Sequence, residues 1–202
     1  MPVFKKINLF FIHIPKTGGT SVESYLYYKC KLKRTIDTLF TGINCNVLLN
    51  LHSLQHSTYS EIKNNSCFDF NIDKLKIITI VRNPYDRLIS ELFFLHKITI
   101  SMSKKEIEKQ IKLFLDDDNL YDHHKLPQYK FITHNNNLIK TTIMKTESLT
   151  EDMHNYGFTD FYTEKNKTHR NDINYKKLYT NKAKEIVYTY YKQDFALFDY
   201  VK

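Results

Sequence analysis

The stretch IHIPKTGGTS, Ile12 to Ser21, decides the fold. An apolar run from Leu9 to Ile14 reads as a buried strand. Pro15, Lys16, Thr17, Gly18, Gly19 and Thr20 then form a tight loop, and a helical pattern starts near Ser21 and runs to about Lys29. Such a loop offers an anion free backbone N–H groups, a lysine and hydroxyls at the positive end of a helix dipole. A second stretch, ITIVRNPYDRLISE from Ile78 to Glu91, repeats the plan. Lys76 to Val81 is its strand, Arg82 ends the strand, and Pro84 stands where the first helical turn begins. The helix is predicted to reach about Lys97, with Leu88, Leu92 and Leu95 facing the core. Ser90 lies two turns into it, on the side that can face Arg82. Together the two stretches describe a pocket for a nucleotide with negative charge at both ends.

The remaining pattern extends this alternation. Asn46 to Leu51 reads as a short buried strand ending at His52. Ser103 to Leu115 reads as an amphipathic helix with Ile107, Ile111, Leu113 and Phe114 on its apolar side. Thr142 to Lys145 is a further strand, and Ser148 with Glu151 matches a capping box for a helix closing near Gly157. Thr180 is placed to cap a last long helix from Asn181 to about Lys192, with Ile186, Val187, Tyr190 and Tyr191 as its buried face. Strands alternating with helices predict an α/β fold, a P-loop-like three-layer sandwich with a mostly parallel sheet flanked by helices. No repeat and no Gly-, Ser- or Pro-rich linker interrupts the 202 residues, so a single domain is expected.

The formal charge of +8 suits polyanionic partners such as nucleotides or acidic glycans, and does not separate them. Three cysteines, Cys30, Cys45 and Cys67, have no metal-ligand spacing. The run Asp116, Asp117 and Asp118 reads as a solvated loop, because three adjacent carboxylates do not converge on one ion. No signal peptide or membrane anchor is visible, and the first apolar run is far shorter than the roughly 20 residues of a membrane span. The expectation is a soluble, cytoplasmic chain. The excess of Asn, Lys, Ile and Tyr points to AT-rich coding, and the lack of a visible anchor fits a cytosolic, virus-encoded or bacterial chain, or a trimmed one.

Comparison with the ordinary P-loop, GxxxxGK[ST], sharpens the nucleotide. There the lysine follows the glycines; here Lys16 precedes Gly18 and Gly19. The apolar strand Lys76 to Val81 ends in a cation, not in a carboxylate that would hold magnesium. At these residues the sequence resembles the sulfotransferases that use 3′-phosphoadenosine 5′-phosphosulfate. PKTGGTS (Pro15 to Ser21) is similar to their 5′-phosphosulfate loop, and RNPYDRLIS (Arg82 to Ser90) to their 3′-phosphate motif. The likeness is nearest to the heparan- and chondroitin-type carbohydrate O-sulfotransferases, and LPQY (Leu126 to Tyr129), KTESL (Lys145 to Leu149) and DFALFDY (Asp194 to Tyr200) extend it over most of the chain.

The resemblance implies that Lys16, Thr17, Gly18, Gly19, Thr20 and Ser21 hold the phosphosulfate, Lys16 neutralising charge on the bridging oxygen as the sulfuryl group leaves. It implies that Arg82 and Ser90 bind the 3′-phosphate, with a late basic residue, Lys167, closing over that end. It further implies a hydroxyl acceptor on a carbohydrate, no metal, and adenosine 3′,5′-bisphosphate as product, with no nucleic-acid partner. A hydroxyl needs a base as it attacks, and histidine suits that role near neutral pH. His52 is the first choice because it follows a strand, as the basic histidine of similar enzymes does; His56 is the second. Glu23 is expected on the surface, although other sulfotransferases use a glutamate base; His13 is expected in the packing, His123 and His124 in a polar loop that is solvated or else touches acceptor or cofactor, and Arg87 as a loop anchor through carboxylates. A small-molecule kinase and a non-catalytic polyanion binder are the competing readings. The first requires magnesium and ATP turnover, the second salt-sensitive binding without the nucleotide.

Overall fold

The computed structural model describes residues 3–33, 54–64, 71–162 and 175–202. The expected strand Asn46 to Leu51, His52 and Lys167 lie outside these residues.

Four strands form the main sheet in the order β1 (Val3–Phe4), β2 (Leu9–Ile12), β3 (Lys76–Val81) and β6 (Thr142–Lys145). The strands β2, β3 and β6 run parallel, with Leu9 opposite Lys76 and Ile78 opposite Thr142, and only β1 is antiparallel. A separate two-stranded hairpin joins β4 (Thr133–His134) to β5 (Asn137–Leu138). The α/β expectation therefore holds, with helices packed on a mostly parallel sheet.

Side chains alternate across the pleat of β2. Leu9 and Phe11 join Ile78, Ile80 and Met144 under two helices, α1 (Gly19–Lys29) and α5 (Leu149–Tyr156). Phe10, Ile12 and Ile14 meet Val81, Phe131 and Phe198 on the other face, with Tyr59 and Ile62 of the short helix α2 (Tyr59–Lys63). A third cluster joins α3 (Pro84–Phe94), α4 (Lys104–Asp116), α6 (Asn181–Tyr190) and α7 (Lys192–Leu197) through Leu88, Leu92, Ile107, Ile111, Val187 and Phe195. Among the described residues, no helix is long and apolar enough to cross a membrane.

Local expectations fare unevenly, for physical reasons. Helix α3 stops at Phe94, three residues early, because His96 adopts a left-handed φ of 54° and the Lys97 N–H turns back to the Leu92 carbonyl. Ser148 and Glu151 make no capping box. Instead the Ser148 hydroxyl donates to Asp152 at 2.9 Å, and the same carboxylate oxygen accepts from the Lys145 N–H at 2.7 Å, so no side chain caps the helix. The last long helix breaks at Tyr191, a buried residue whose hydroxyl donates to the Lys125 carbonyl, so Tyr190 is exposed and Ala183 and Val187 face inward. On α4, Leu113 is exposed and Leu115 buried. Thr180 caps α6 as expected, and Gly157, at φ 110°, closes α5.

Candidate functional site

The carboxyl ends of β2, β3 and β6 meet at one place, where open α/β sheets position ligands. After Ile12 the chain runs through His13 to Gly18 before α1 begins. Lys16 and Gly18 are both left-handed, at φ 65° and 88°. No side chain caps α1, so the N–H groups of its first turn have no side-chain acceptor at the positive end of the helix. Gly19 is required by its neighbour: a Cβ there would lie 2.3 Å from Cδ2 of His13. The helix can start against that imidazole only because residue 19 has no side chain.

The second unit is tied to the first. Arg82 Nη1 donates to the Lys16 carbonyl at 3.2 Å, and Thr146 donates its hydroxyl to the carbonyls of Thr17 and Val81. Gln128 clamps the Arg82 backbone, accepting from its N–H and donating to its carbonyl, each at 2.9 Å. The buried carboxylate of Asp194 in turn accepts from the N–H groups of Gln128 and Tyr129. Glu147 accepts from the Asn83 N–H and the Tyr200 hydroxyl. Thus LPQY, KTESL and DFALFDY converge on the frame that aims Arg82.

Arg87 does anchor loops, but through carbonyls instead of the expected carboxylates. Its buried guanidinium donates to the carbonyls of Pro15, Leu126 and His124 at 2.9 to 3.0 Å. Its planar fork satisfies three separate loop carbonyls at once.

A cavity of about 680 Å³ opens between these segments, within the range of small-molecule sites. Lys16, Gly18, Gly19, Thr20 and Ser21 line it together with Arg82 and Ser90. Of the loop residues proposed to hold the nucleotide, Thr17 stands apart. It is fully buried, and its hydroxyl donates to the Ile14 carbonyl at 2.8 Å, bracing the loop from inside.

The same cavity is lined by His13, Gln55, His56, Tyr121, Asp122 and His124, with Phe94 and Leu95. His13 is packed as expected, but Glu23 is fully buried, not on the surface. Its carboxylate accepts from His13 Nδ1 at 2.7 Å and from Gln55. His56 Nδ1 donates to Asp122 at 2.8 Å, and burial pushes its pKa down to about 4, with His13 and His124 adding to the fall and Asp122 opposing it. His123 and His124 are not solvated. The His123 ring is buried against the His56 carbonyl, and His124 Nδ1 donates to the buried Glu91 at 2.6 Å. The Lys16 ammonium stands 4.2 Å from the Phe94 ring, which stacks on His124. Asp116, Asp117 and Asp118 are exposed, as the solvated-loop reading expects.

The sequence reading passed over Gln55, Glu91, Phe94 and Asp122. Glu91 carries a readable signal, since it falls on the apolar stripe of α3 between Leu88 and Leu95. A carboxylate at a core position needs a partner.

The family model described as "Sulfotransferase family" matches residues 1–201. The chain belongs to the sulfotransferase family. Nothing among the curated proteins or the solved structures matches it. As a sulfotransferase it is an enzyme that transfers a sulfuryl group, and its two strand–loop–helix units open on one cavity. The first presents a lysine and a helix N-terminus to an anion, and the second an arginine and a serine on the same cavity.

Proposed function

We propose that the chain, folded as one domain, transfers the sulfuryl group of 3′-phosphoadenosine 5′-phosphosulfate to a hydroxyl of a carbohydrate acceptor. The observation that carries this reading is a single cavity lined by both anion-binding units and by His56. Lys16, Gly18, Gly19, Thr20 and Ser21 hold the 5′-phosphosulfate. Arg82 and Ser90 take the 3′-phosphate, where a guanidinium fork can bond two oxygens at once. His56, the second choice from sequence, is the base in this reading.

In-line displacement needs three things from the protein. The acceptor oxygen must lose its proton as it attacks sulfur. With Nδ1 donating to Asp122, the His56 imidazole has its Nε2 lone pair to accept that proton, and its depressed pKa keeps it neutral at pH 7. A bound anionic donor raises that pKa toward the working range. The leaving phosphate oxygen must have its growing charge neutralised, which the Lys16 ammonium and the α1 N-terminus supply. The donor must also be held rigidly, and Arg87 and Gln128 fix the two loops that do so. The carbohydrate acceptor rests on the motif resemblance alone.

Calorimetric titration with adenosine 3′,5′-bisphosphate tests the donor assignment. Loss of a charge-assisted phosphate contact in Arg82→Ala is expected to weaken binding about 10- to 150-fold, from about 1.5–3 kcal/mol. Equal affinity in both proteins, or none in either, overturns the reading. His56→Asn is expected to bind the bisphosphate normally while losing turnover; full turnover removes it as the base.

A further inference from the structure

We propose that His56, Asp122 and His124 form a site for a divalent cation of the zinc class, and that an ion held there withholds His56 from the acceptor hydroxyl. The second half rests on the sulfuryl-transfer reading above; the first half does not. One ring nitrogen from each histidine and one oxygen of Asp122 all lie within 4.8 Å of one another. Two imidazoles and a carboxylate suit a borderline ion such as Zn²⁺, with water in the remaining position. Bonds of about 2.0–2.1 Å around a tetrahedral ion separate ligand atoms by roughly 3.4 Å. The widest pair therefore has to close by at most about 1.4 Å, within reach of side-chain torsions in half-buried residues.

The groups behind the ligands set this cluster apart from a chance grouping. His124 Nδ1 donates to Glu91 Oε2 at 2.6 Å, which fixes the tautomer and leaves the Nε2 lone pair for an ion. A carboxylate behind a ligating histidine is the usual support of a metal site. Glu91 is buried, and its Oε1 has no hydrogen-bond partner, so His124 is the one described group to which its carboxylate is bonded. His56 Nδ1 already lies 2.8 Å from Asp122, so an ion there takes the place of the proton between them, and the rings of His56 and His124 meet edge to face with centroids 4.8 Å apart.

Asp122 sits in a run of three left-handed residues, Tyr121, Asp122 and His123, at φ 49°, 55° and 64°. Such backbone strain persists where surrounding contacts over-determine the chain. Lys16 and Arg82 line the same cavity and repel a cation, but the carboxylates of Asp122 and Glu91 offset those two charges. The ion opposes transfer: bound at Nδ1, it leaves the one proton of the His56 imidazole on Nε2, so no lone pair remains there for the acceptor proton.

The test is titration of Co²⁺ into the full-length protein freed of metal by a chelator, followed by visible absorption. One equivalent per chain with the intense band of four-coordinate cobalt is expected, displaced by Zn²⁺. Asp122→Asn, which keeps the size of the side chain, and His124→Ala should each weaken binding at least tenfold. Glu91→Gln should weaken it about 10- to 100-fold without removing a ligand. Melting temperatures read in parallel show that the variants are folded. Absence of the band, or a band unaltered in both Asp122→Asn and His124→Ala, overturns the site. Zn²⁺ should slow sulfuryl transfer, with recovery on chelation. Tight cobalt binding beside undiminished transfer overturns the inhibitory half. Binding of the bisphosphate with chelator present is a separate measurement, so failure of the metal site and failure of the donor assignment are distinguishable.

Discussion

Gly19→Ala sets two effects of opposite sign against each other. Alanine is the better helix former by up to about 1 kcal/mol in a helix interior, and by less at the first position of α1. Against that, the new Cβ would fall 2.3 Å from Cδ2, 2.4 Å from Nε2 and 2.9 Å from Cγ of His13. These atoms belong to a rigid ring stacked on Phe11 and bonded through Nδ1 to the buried Glu23, so the imidazole cannot swing aside and keep its partner. Overpacking costs about 1–3 kcal/mol. Loss of the histidine bond to Glu23, which retains Gln55, costs about 1–3 kcal/mol more. The clash wins by roughly 1–6 kcal/mol, and the melting temperature should fall by roughly 2–24 °C for a chain of this size. Gly18→Ala is the contrast. Its Cβ has room, 3.7 Å from Leu149, so its φ of 88° leaves only the left-handed cost of about 1–2 kcal/mol. Calorimetric melting of Gly19→Ala in wild-type and His13→Ala backgrounds isolates the clash. An unchanged melting temperature for the single variant, or the same loss in both backgrounds, refutes the reasoning.

Three further outcomes follow from the same geometry. His56 titrates near 4 in the folded chain against 6.5 ordinarily, so the unfolded chain binds the extra proton. Stability from this residue is intact above pH 6.5 and declines as pH falls toward 4, by up to about 3 kcal/mol, and the difference between wild-type and His56→Asn denaturation curves should show that slope. Arg87→Lys leaves at least one of three loop carbonyls without its donor, at about 1–3 kcal/mol each. It should lower the melting temperature and weaken bisphosphate binding although Arg87 does not line the cavity. Lys16→Met should reduce kcat about 100- to 1000-fold, measured with saturating donor.

Both strand-to-helix junctions are legible in the sequence because neighbouring residues determine them. Pro84 fixes the start of α3, the two glycines allow a tight turn, and apolar runs mark β2 and β3. The errors fall where distant partners decide. Glu23 looks like a surface residue on its helix until Gln55, thirty-two positions away, bonds its carboxylate. Arg87 looks like half of an ion pair until three loops place their carbonyls around it. The early end of α3 belongs to this class too, since the left-handed turn at His96 returns the chain toward the buried Ile98.

The proposal of His56 as the base draws on contacts that local pattern does not reach, while His52 lies outside the described residues. One arrangement occurs three times in the cavity wall: His13 on Glu23, His56 on Asp122 and His124 on Glu91, each Nδ1 within 2.6 to 2.8 Å of a carboxylate oxygen. The carboxylates set the tautomers alike, so they do not distinguish the rings. Position does. His56 lies between the other two, with centroids 5.3 Å from His13 and 4.8 Å from His124. Burial lowers its pKa first, and the two flanking imidazoles lower it further, because neighbouring rings resist being charged together. The neutral imidazole is thus favoured by burial first and then by two histidines, one 43 positions before it and one 68 after, which no reading of the segment around His52 and His56 could weigh. Replacing either flanking histidine should raise the His56 pKa toward its ordinary value, measurable by imidazole proton resonances; an unmoved titration would assign the shift to burial alone.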